Sequence, residues 1–254
     1  MSVPTQALAD YILRMADDEL LLAHRDSEWT GHAPILEEDI AFTNIALDEM
    51  GHAAVWYALH AELMKEQADA HSDRLVFQRS PEAFLCTSMV VLPNGDWAFS
   101  MLRQYLFDVA EKVRLESLAS SGYAPIAHAA AKLRPEEAYH ERHTRAWVLR
   151  LGEGTQESNR RMQHALDRLW GHALGLFGEE PAAAPAIQAG WIPQGGIVRQ
   201  RWQAEVSDTL AQAGLRIPAV TDPPTSNRRQ RDEYLSDLLD ELQSVARSDP
   251  MAVW

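Results

Sequence analysis

Four stretches of helical periodicity in this chain each carry an acidic residue on the apolar stripe, and this limits its fold more than any other feature. Residues 5–26 repeat Leu8, Tyr11, Ile12, Met15, Leu22 and Ala23 at three- and four-residue steps, with Glu19 one turn beyond Met15. Residues 34–65 align Phe42, Ile45, Ala53 and Trp56 with Glu49 and His52. Residues 97–121 align Met101, Tyr105 and Leu115 with Asp108, and residues 125–151 align Leu133, Thr144 and Trp147 with Glu137 and His140. Side chains three or four residues apart leave one face of a helix, so each Glu-x-x-His pair turns both groups the same way. A carboxylate facing a core must be paired or bound to metal.

The two Glu-x-x-His pairs are weak evidence as a pattern, since about one arises by chance in a chain of this composition. Their placement says more. Glu49 lies 30 residues after Glu19, and Glu137 lies 29 after Asp108. Two antiparallel helices joined by a short loop bring mid-helix residues level at such separations. The 56 residues from His52 to Asp108 leave room for a long crossover between two hairpins. The pattern predicts an all-α, ferritin-like four-helix bundle with additional C-terminal helices. Glu19, Glu49, His52, Asp108, Glu137 and His140 would meet inside it as the ligands of a di-iron or di-manganese pair. Four carboxylates balance two divalent ions, with Glu49 and Glu137 as bridges and Glu19 and Asp108 as terminal ligands. Neutral imidazoles complete the set and leave positions open for dioxygen. Asp18 competes with Glu19, and Glu111 with Asp108. The alternative without metal is a buried polar network completed by Arg114 or Arg142.

The remaining chain is read as support for this bundle. Between residues 66 and 96 the period fades, and Pro81, Pro93, Asn94 and Gly95 predict a long connection with one short helix near Pro81 to Cys86. Asp96 is placed to cap the third helix, and Pro135 predicts a kink or loosening one turn before Glu137 is reached. A fifth helix is expected over 155–177, mostly irregular chain over 178–196, a helix over 197–213, a Pro-rich link over 218–227 and a last helix over 228–248. The chain thus divides into a bundle with its fifth helix, 1–177, and a C-terminal extension, 178–254, packing on the bundle or on a partner. Asp39 and Asp48 fall off the apolar stripes and read as solvated. His24, His32, His60, His128, His143, His164 and His172 receive no role, and Trp29, Trp56, Trp147 and Trp170 read as core.

Composition narrows the class. A formal net charge of -14 and a pI near 5.1 argue against nucleic acid or an anionic membrane as partner. Cys86 is the sole cysteine, in an apolar stretch, so no intrachain disulfide forms and a reducing compartment is expected. Asp10, Asp17 and Asp18 interrupt any signal-like N-terminus, and no apolar run approaches the ~18 residues of a membrane span. A soluble, cytoplasmic protein is expected.

Several stretches resemble the C subunit of the multicomponent ring-1,2-phenylacetyl-CoA epoxidase. They are Glu28-Trp29-Thr30-Gly31-His32-Ala33-Pro34-Ile35-Leu36-Glu37, Asn44-Ile45-Ala46-Leu47-Asp48, Pro93-Asn94-Gly95-Asp96, Arg103-Gln104-Tyr105, Glu137-Ala138-Tyr139-His140 and Arg150-Leu151-Gly152-Glu153-Gly154-Thr155. The resemblance implies a ferritin-like fold and a tight complex with a homologous catalytic A subunit that carries the di-iron centre. A reductase and a small B subunit complete that complex, acyl-CoA is met mainly through the partner, and a homodimer is a further arrangement. C subunits of this kind are described as structural, and several have lost ligands on the first two helices. This chain departs from that pattern by keeping all six. Two readings follow: a supporting oxygenase subunit with a metal-competent site, or a di-iron or di-manganese oxidase or oxygenase active in its own right.

Overall fold

A computed structural model of the chain describes residues 2–178, 181–222, 228 and 233–249. Helix α1 (Val3–Ser27) starts where the Ser2 side chain accepts the Thr5 amide, with Pro4 in the first turn, where its missing donor costs nothing. After the turn at Gly31, α2 (Leu36–Met64) runs back along it, with Glu37, Glu38 and Asp39 in its first turn complementing the helix dipole. Lys65 ends α2 in the left-handed region. The crossover holds α3 (Ala68–Phe77), a 3-10 turn at Pro81–Ala83 and α4 (Ser88–Val91). Asp96 then caps α5 (Trp97–Leu118), accepting the Phe99 amide at 3.0 Å. Helix α6 (Ala124–Glu153) returns beside α5, and α7 (Gln156–Leu174) opens on a capping box between Thr155 and Ser158. The short α8 (Ala184–Gln188) lies on α1. Then α9 (Gly195–Gln212) packs on α5 and α6, and α10 (Glu233–Leu242) and α11 (Ser244–Ser248) close the described chain.

The α1/α2 and α5/α6 hairpins form the bundle, and no strand occurs among the described residues. Helix α5 is its axis. Almost all its side chains are buried, because α6, α7 and α9 cover the faces that α6 alone would leave wet. The crossover is clamped to the bundle end by two arginines. Arg25 donates to the Val91 carbonyl at 2.9 and 3.1 Å, and the fully buried Arg103 donates to the Leu92 carbonyl at 2.8 Å. Gly152 permits the closest approach of α6 to the end of α9, since a Cβ there would fall 2.5 Å from the Ala213 carbonyl oxygen.

Three expectations need correction. The crossover is more helical than its fading period suggests: α3 buries only His71 and Val76, too narrow a stripe to register as a helix in the sequence. The 178–196 stretch holds α8, which sends Ala186 into the core. Helix α6 runs unbroken through Pro135 as the sequence expects, with that residue and Ala131, one turn before it, both exposed. The expected last helix is broken at Gln243 into α10 and α11, and the Pro-rich link beyond 222, together with 229–232, lies outside the described residues. Gln243 is fully buried and donates to the Val76 and Arg79 carbonyls, tying the end of α10 to the crossover.

Candidate metal centre

The run Asp17-Asp18-Glu19 on α1 is buried throughout, yet its members serve different neighbours. Asp17 accepts from Tyr57 Oη on α2 at 2.7 Å and, from the crossover, the Leu85 amide at 2.7 Å and the Arg79 guanidinium. Asp18 does the same, accepting the Thr87 amide and Arg228 Nη1, both at 2.7 Å. Glu19, a further 100° round the helix, points into the bundle, with Oε2 4.0 Å from His52 Nδ1. The competition between Asp18 and Glu19 is therefore decided by the crossover, which claims Asp18.

Around Glu19 the structure brings the other five residues together. Glu49 lies between the two imidazoles, its Oε2 3.9 Å from His52 Nδ1 and its Oε1 3.5 Å from His140 Nδ1. Glu137 mirrors it from α6, with Oε2 3.9 Å from His52 Nδ1 and 3.6 Å from His140 Nδ1. The imidazole rings face each other at 5.8 Å between centroids. Asp108 completes the far side; its Oδ1 accepts from Gln104 Nε2 at 2.8 Å and its Oδ2 from the Thr144 hydroxyl at 2.6 Å. Gln104 Nε2 also donates to Glu49 Oε1 at 2.7 Å, so one amide spaces the two carboxylates. Glu111, the competitor of Asp108, is instead paired with Arg114 one turn along α5. Arg142 lies over the exposed Tyr139 ring, outside the cluster.

Two overlapping donor sets could each hold a metal ion: Glu19, Glu49 and His52, and Glu49, Asp108 and His140, the ligand atoms of each lying within 4.8 Å of one another. Glu49 belongs to both. The hydrogen bonding of the site points the same way. Glu19 Oε2, Glu49 Oε2, both Glu137 carboxylate oxygens, His52 Nδ1 and His140 Nδ1 are buried with no hydrogen-bond partner among the described residues, and all belong to one cluster. Buried polar atoms are seldom left unpaired, so six in one place ask for a further partner. Four carboxylates and two imidazoles are an oxygen- and nitrogen-rich set suited to Fe(II) or Mn(II), and their charge suits two divalent ions. The residues present fit a dinuclear centre.

Electrostatics reports the same imbalance. Burial, then the charges of Glu49 and Glu137, hold the Glu19 carboxyl well above its ordinary range. Burial and Glu137 do so for Asp108, and burial raises Glu137. Against its own burial, the close approach of Glu19 and His140 pulls Glu49 down. Burial would deprotonate His140, but Glu137 and Glu49 override it and push its pKa up to about 12. The cluster retains whatever positive charge it can get.

Two residues escape a reading of the sequence. His52 Nε2 lies 2.9 Å from Glu136 Oε2 on α6, and His140 Nε2 lies 3.2 Å from Asp48 Oδ2 on α2. Each helix thus supplies a carboxylate that holds the imidazole of the other, which turns both Nδ1 atoms inward. Asp48 is partly exposed, as its position off the stripe implies, but it is not merely solvated. The signal is present as an acidic residue immediately before the Glu of each Glu-x-x-His; its cross-helix partner is not.

Fold and site together define a helical-bundle protein with a buried carboxylate–histidine cluster that fits a di-iron site. Residues 2–254 match the family model described as phenylacetic acid catabolic protein, and the chain belongs to that family. It is 34% identical over 248 residues, 97% of this chain and 99% of the relative, to the C subunit of the 1,2-phenylacetyl-CoA epoxidase of Escherichia coli (strain K12). It is also 25% identical over 211 residues to the A subunit of the same organism's epoxidase, covering 82% of this chain and 66% of that one. Among the described residues no helix is long and apolar enough to cross a membrane.

Proposed function

We propose that this chain is the C-type subunit of a phenylacetyl-CoA epoxidase complex, stabilising a homologous catalytic A-type subunit while keeping a complete dinuclear ligand set of its own. The end-to-end similarity to a C subunit, 34% over nearly the whole of both chains, supports this reading most directly. Likeness to an A subunit supports descent of both from one bundle. On this reading a small B-type subunit joins the assembly, acyl-CoA is met mainly through the A-type partner, and the complex works in the cytoplasm. The experiment is co-expression with the cognate A-type subunit followed by size-exclusion chromatography. A stable complex is expected, and separate elution of the two chains would overturn the assignment.

We propose that Glu19, Glu49, His52, Asp108, Glu137 and His140 would hold the metal, the carboxylates through oxygen and the imidazoles through Nδ1. When bound, the ion pair would supply redox chemistry and open coordination positions. The chain's own contribution is positional. Asp48 and Glu136 fix the imidazole tautomers by taking the Nε2 protons. Gln104 and Thr144 fix the Asp108 carboxylate, and the surrounding helices keep water out. Elemental analysis of natively purified protein is expected to find about two iron or manganese per chain, as the four-carboxylate set requires. A metal-free preparation that takes up none would remove the ligand assignment.

A second reading, in which the chain is a di-iron or di-manganese oxidase or oxygenase by itself, rests on the ligand set alone and is not favoured by the end-to-end similarity to a C subunit. Oxygen consumption by the metal-loaded chain in the absence of the A-type partner separates the two readings; none is expected of a supporting subunit.

A further inference from the structure

The outward face of α2 is poor in charge and rich in exposed apolar side chains. From Ile40 to Ala61 the helix contains only two residues of the Asp, Glu, Lys or Arg type, Asp48 and Glu49, and Glu49 is buried. Its solvent side carries Leu36 (70% exposed), Ile40 (56%), Leu47 (61%) and Met50 (43%), then exposed Gly51 and Ala54. By contrast the outer face of α7 is laced with Glu157, Arg160 and Arg161 ion pairs. An exposed helix with several apolar turns in succession marks a surface that another molecule covers.

We infer that this α2 face, with the adjoining surface of α6 around exposed Tyr139, is where the A-type subunit docks, through an apolar helix face of its own. This rests on the C-type reading above and adds the surface to it. The stripe from Leu36 to Ala58 is about 33 Å long and about 10 Å wide; with the α6 flank it offers roughly 600 Å², most of the ~800 Å² that one side of a stable interface buries. Gly51 and Ala54 let a partner backbone come close, since among the described residues, its own helix backbone and chain neighbours aside, nothing lies within 4 Å of a Cβ placed on Gly51.

Charge selects the occupant. A second copy packing isologously on this stripe would centre its two-fold axis near Leu47 and set Asp48 against its own counterpart, in a chain already at net charge -14. Asp48 cannot turn away, because it holds His140. A homologous bundle of different sequence, with a neutral or basic residue opposite Asp48, escapes that repulsion. Of the two arrangements, only the heteromeric one leaves the imidazole support intact. Docking there also covers Asp48 and Glu136, the two carboxylates behind the metal-site imidazoles.

The test measures binding of the immobilised cognate A-type subunit to the full chain and to Leu47→Arg, Ile40→Arg and, as a control on the exposed side of α9, Ile197→Arg. Leu47→Arg and Ile40→Arg are expected to weaken binding by about tenfold or more each, as central interface residues do, with circular dichroism and Tm unchanged and Ile197→Arg binding normally. Ala54→Cys supplies a readout that needs no loss of binding: its thiol is expected to react with a maleimide in the free chain and to be shielded in the complex, Cys86 being buried in both. Normal binding by both arginine variants with an unshielded Cys at position 54 would overturn the docking face and leave the C-type reading standing. Failure of the unmodified chain to bind would overturn that reading itself. A homodimer of the unmodified chain that Leu47→Arg dissolves would give the face to a second copy, also overturning the inference.

Discussion

Two clusters of buried acid lie side by side in this protein, built from consecutive residues of one helix, and they have opposite chemical fates. Asp17 and Asp18 are neutralised on the spot. Each meets a guanidinium and a backbone amide from the crossover or beyond it, so their charge holds those segments to the bundle. Among the described residues no guanidinium is paired with Glu19 or the three carboxylates it meets. Arg114, whose charge reaches Glu19, is taken by Glu111. Buried carboxylate by itself therefore does not point to a metal; the proposed centre rests on buried carboxylate that lacks a cation of its own. The histidines divide the same way. His140, ringed by carboxylates, holds its proton up to about 12, whereas burial beside His71 and Arg79 pushes His60 down to about 4.

The largest effect that separates the clusters is expected from Asp17→Ala. It strands the Arg79 guanidinium, the Leu85 amide and the Tyr57 hydroxyl at once and should cost about 3–5 kcal/mol in urea unfolding. A loss below ~1 kcal/mol would mean that this pair is not structural. Next, Fe(II) or Mn(II) at a hundredfold excess over its dissociation constant should stabilise the protein by about 2.7 kcal/mol. That gain should vanish in Glu49→Gln, the ligand common to both donor sets, and persist in Asp18→Asn. Equal gains in both variants would place the ion elsewhere.

The histidine contrast predicts a pH dependence. His60 Nδ1 lies 2.8 Å from His71 Nε2, and His60 faces Arg79 and, across on α1, Asp10, while His71 faces Arg74 and Glu66. Its folded pKa lies below the unfolded value, so its contribution is complete above pH ~6.5 and is lost as pH falls toward about 4, by about 2 kcal/mol. Urea midpoints of the parent and of His60→Gln, measured at pH 7 and pH 4.5, should converge at the lower pH. The smallest effect is expected from Glu137→Gln in chelator-treated protein. Removing one of four crowded, buried carboxyls that have only two imidazoles to offset them should leave stability unchanged or raise it by about 1 kcal/mol. A loss like that of Asp17→Ala would show the two clusters to be of one kind.

How much of this is legible without coordinates follows from the reach of each signal. Helix identity and register are local, and the 30- and 29-residue separations convert register into a shared height; hence the six residues can be named from spacing. The choice between Asp18 and Glu19 cannot, because the two differ by one helical step and only a segment about 70 residues away decides between them. Asp48 reads as solvated and Glu136 as unremarkable for the same reason: each acts on a histidine of another helix, more than 80 residues distant. Helix α3 is invisible in the pattern because two buried residues do not make a period.

What the chain settles alone is therefore everything governed by the α-helical repeat: four long helices, their polar insertions, and one level at which those insertions can meet. Tertiary structure decides which buried acids receive a cation from the protein and which do not. That depends on where Arg79, Arg114 and Arg228 land after folding, and charge compensation acts through space, across distances in sequence to which no local pattern is sensitive.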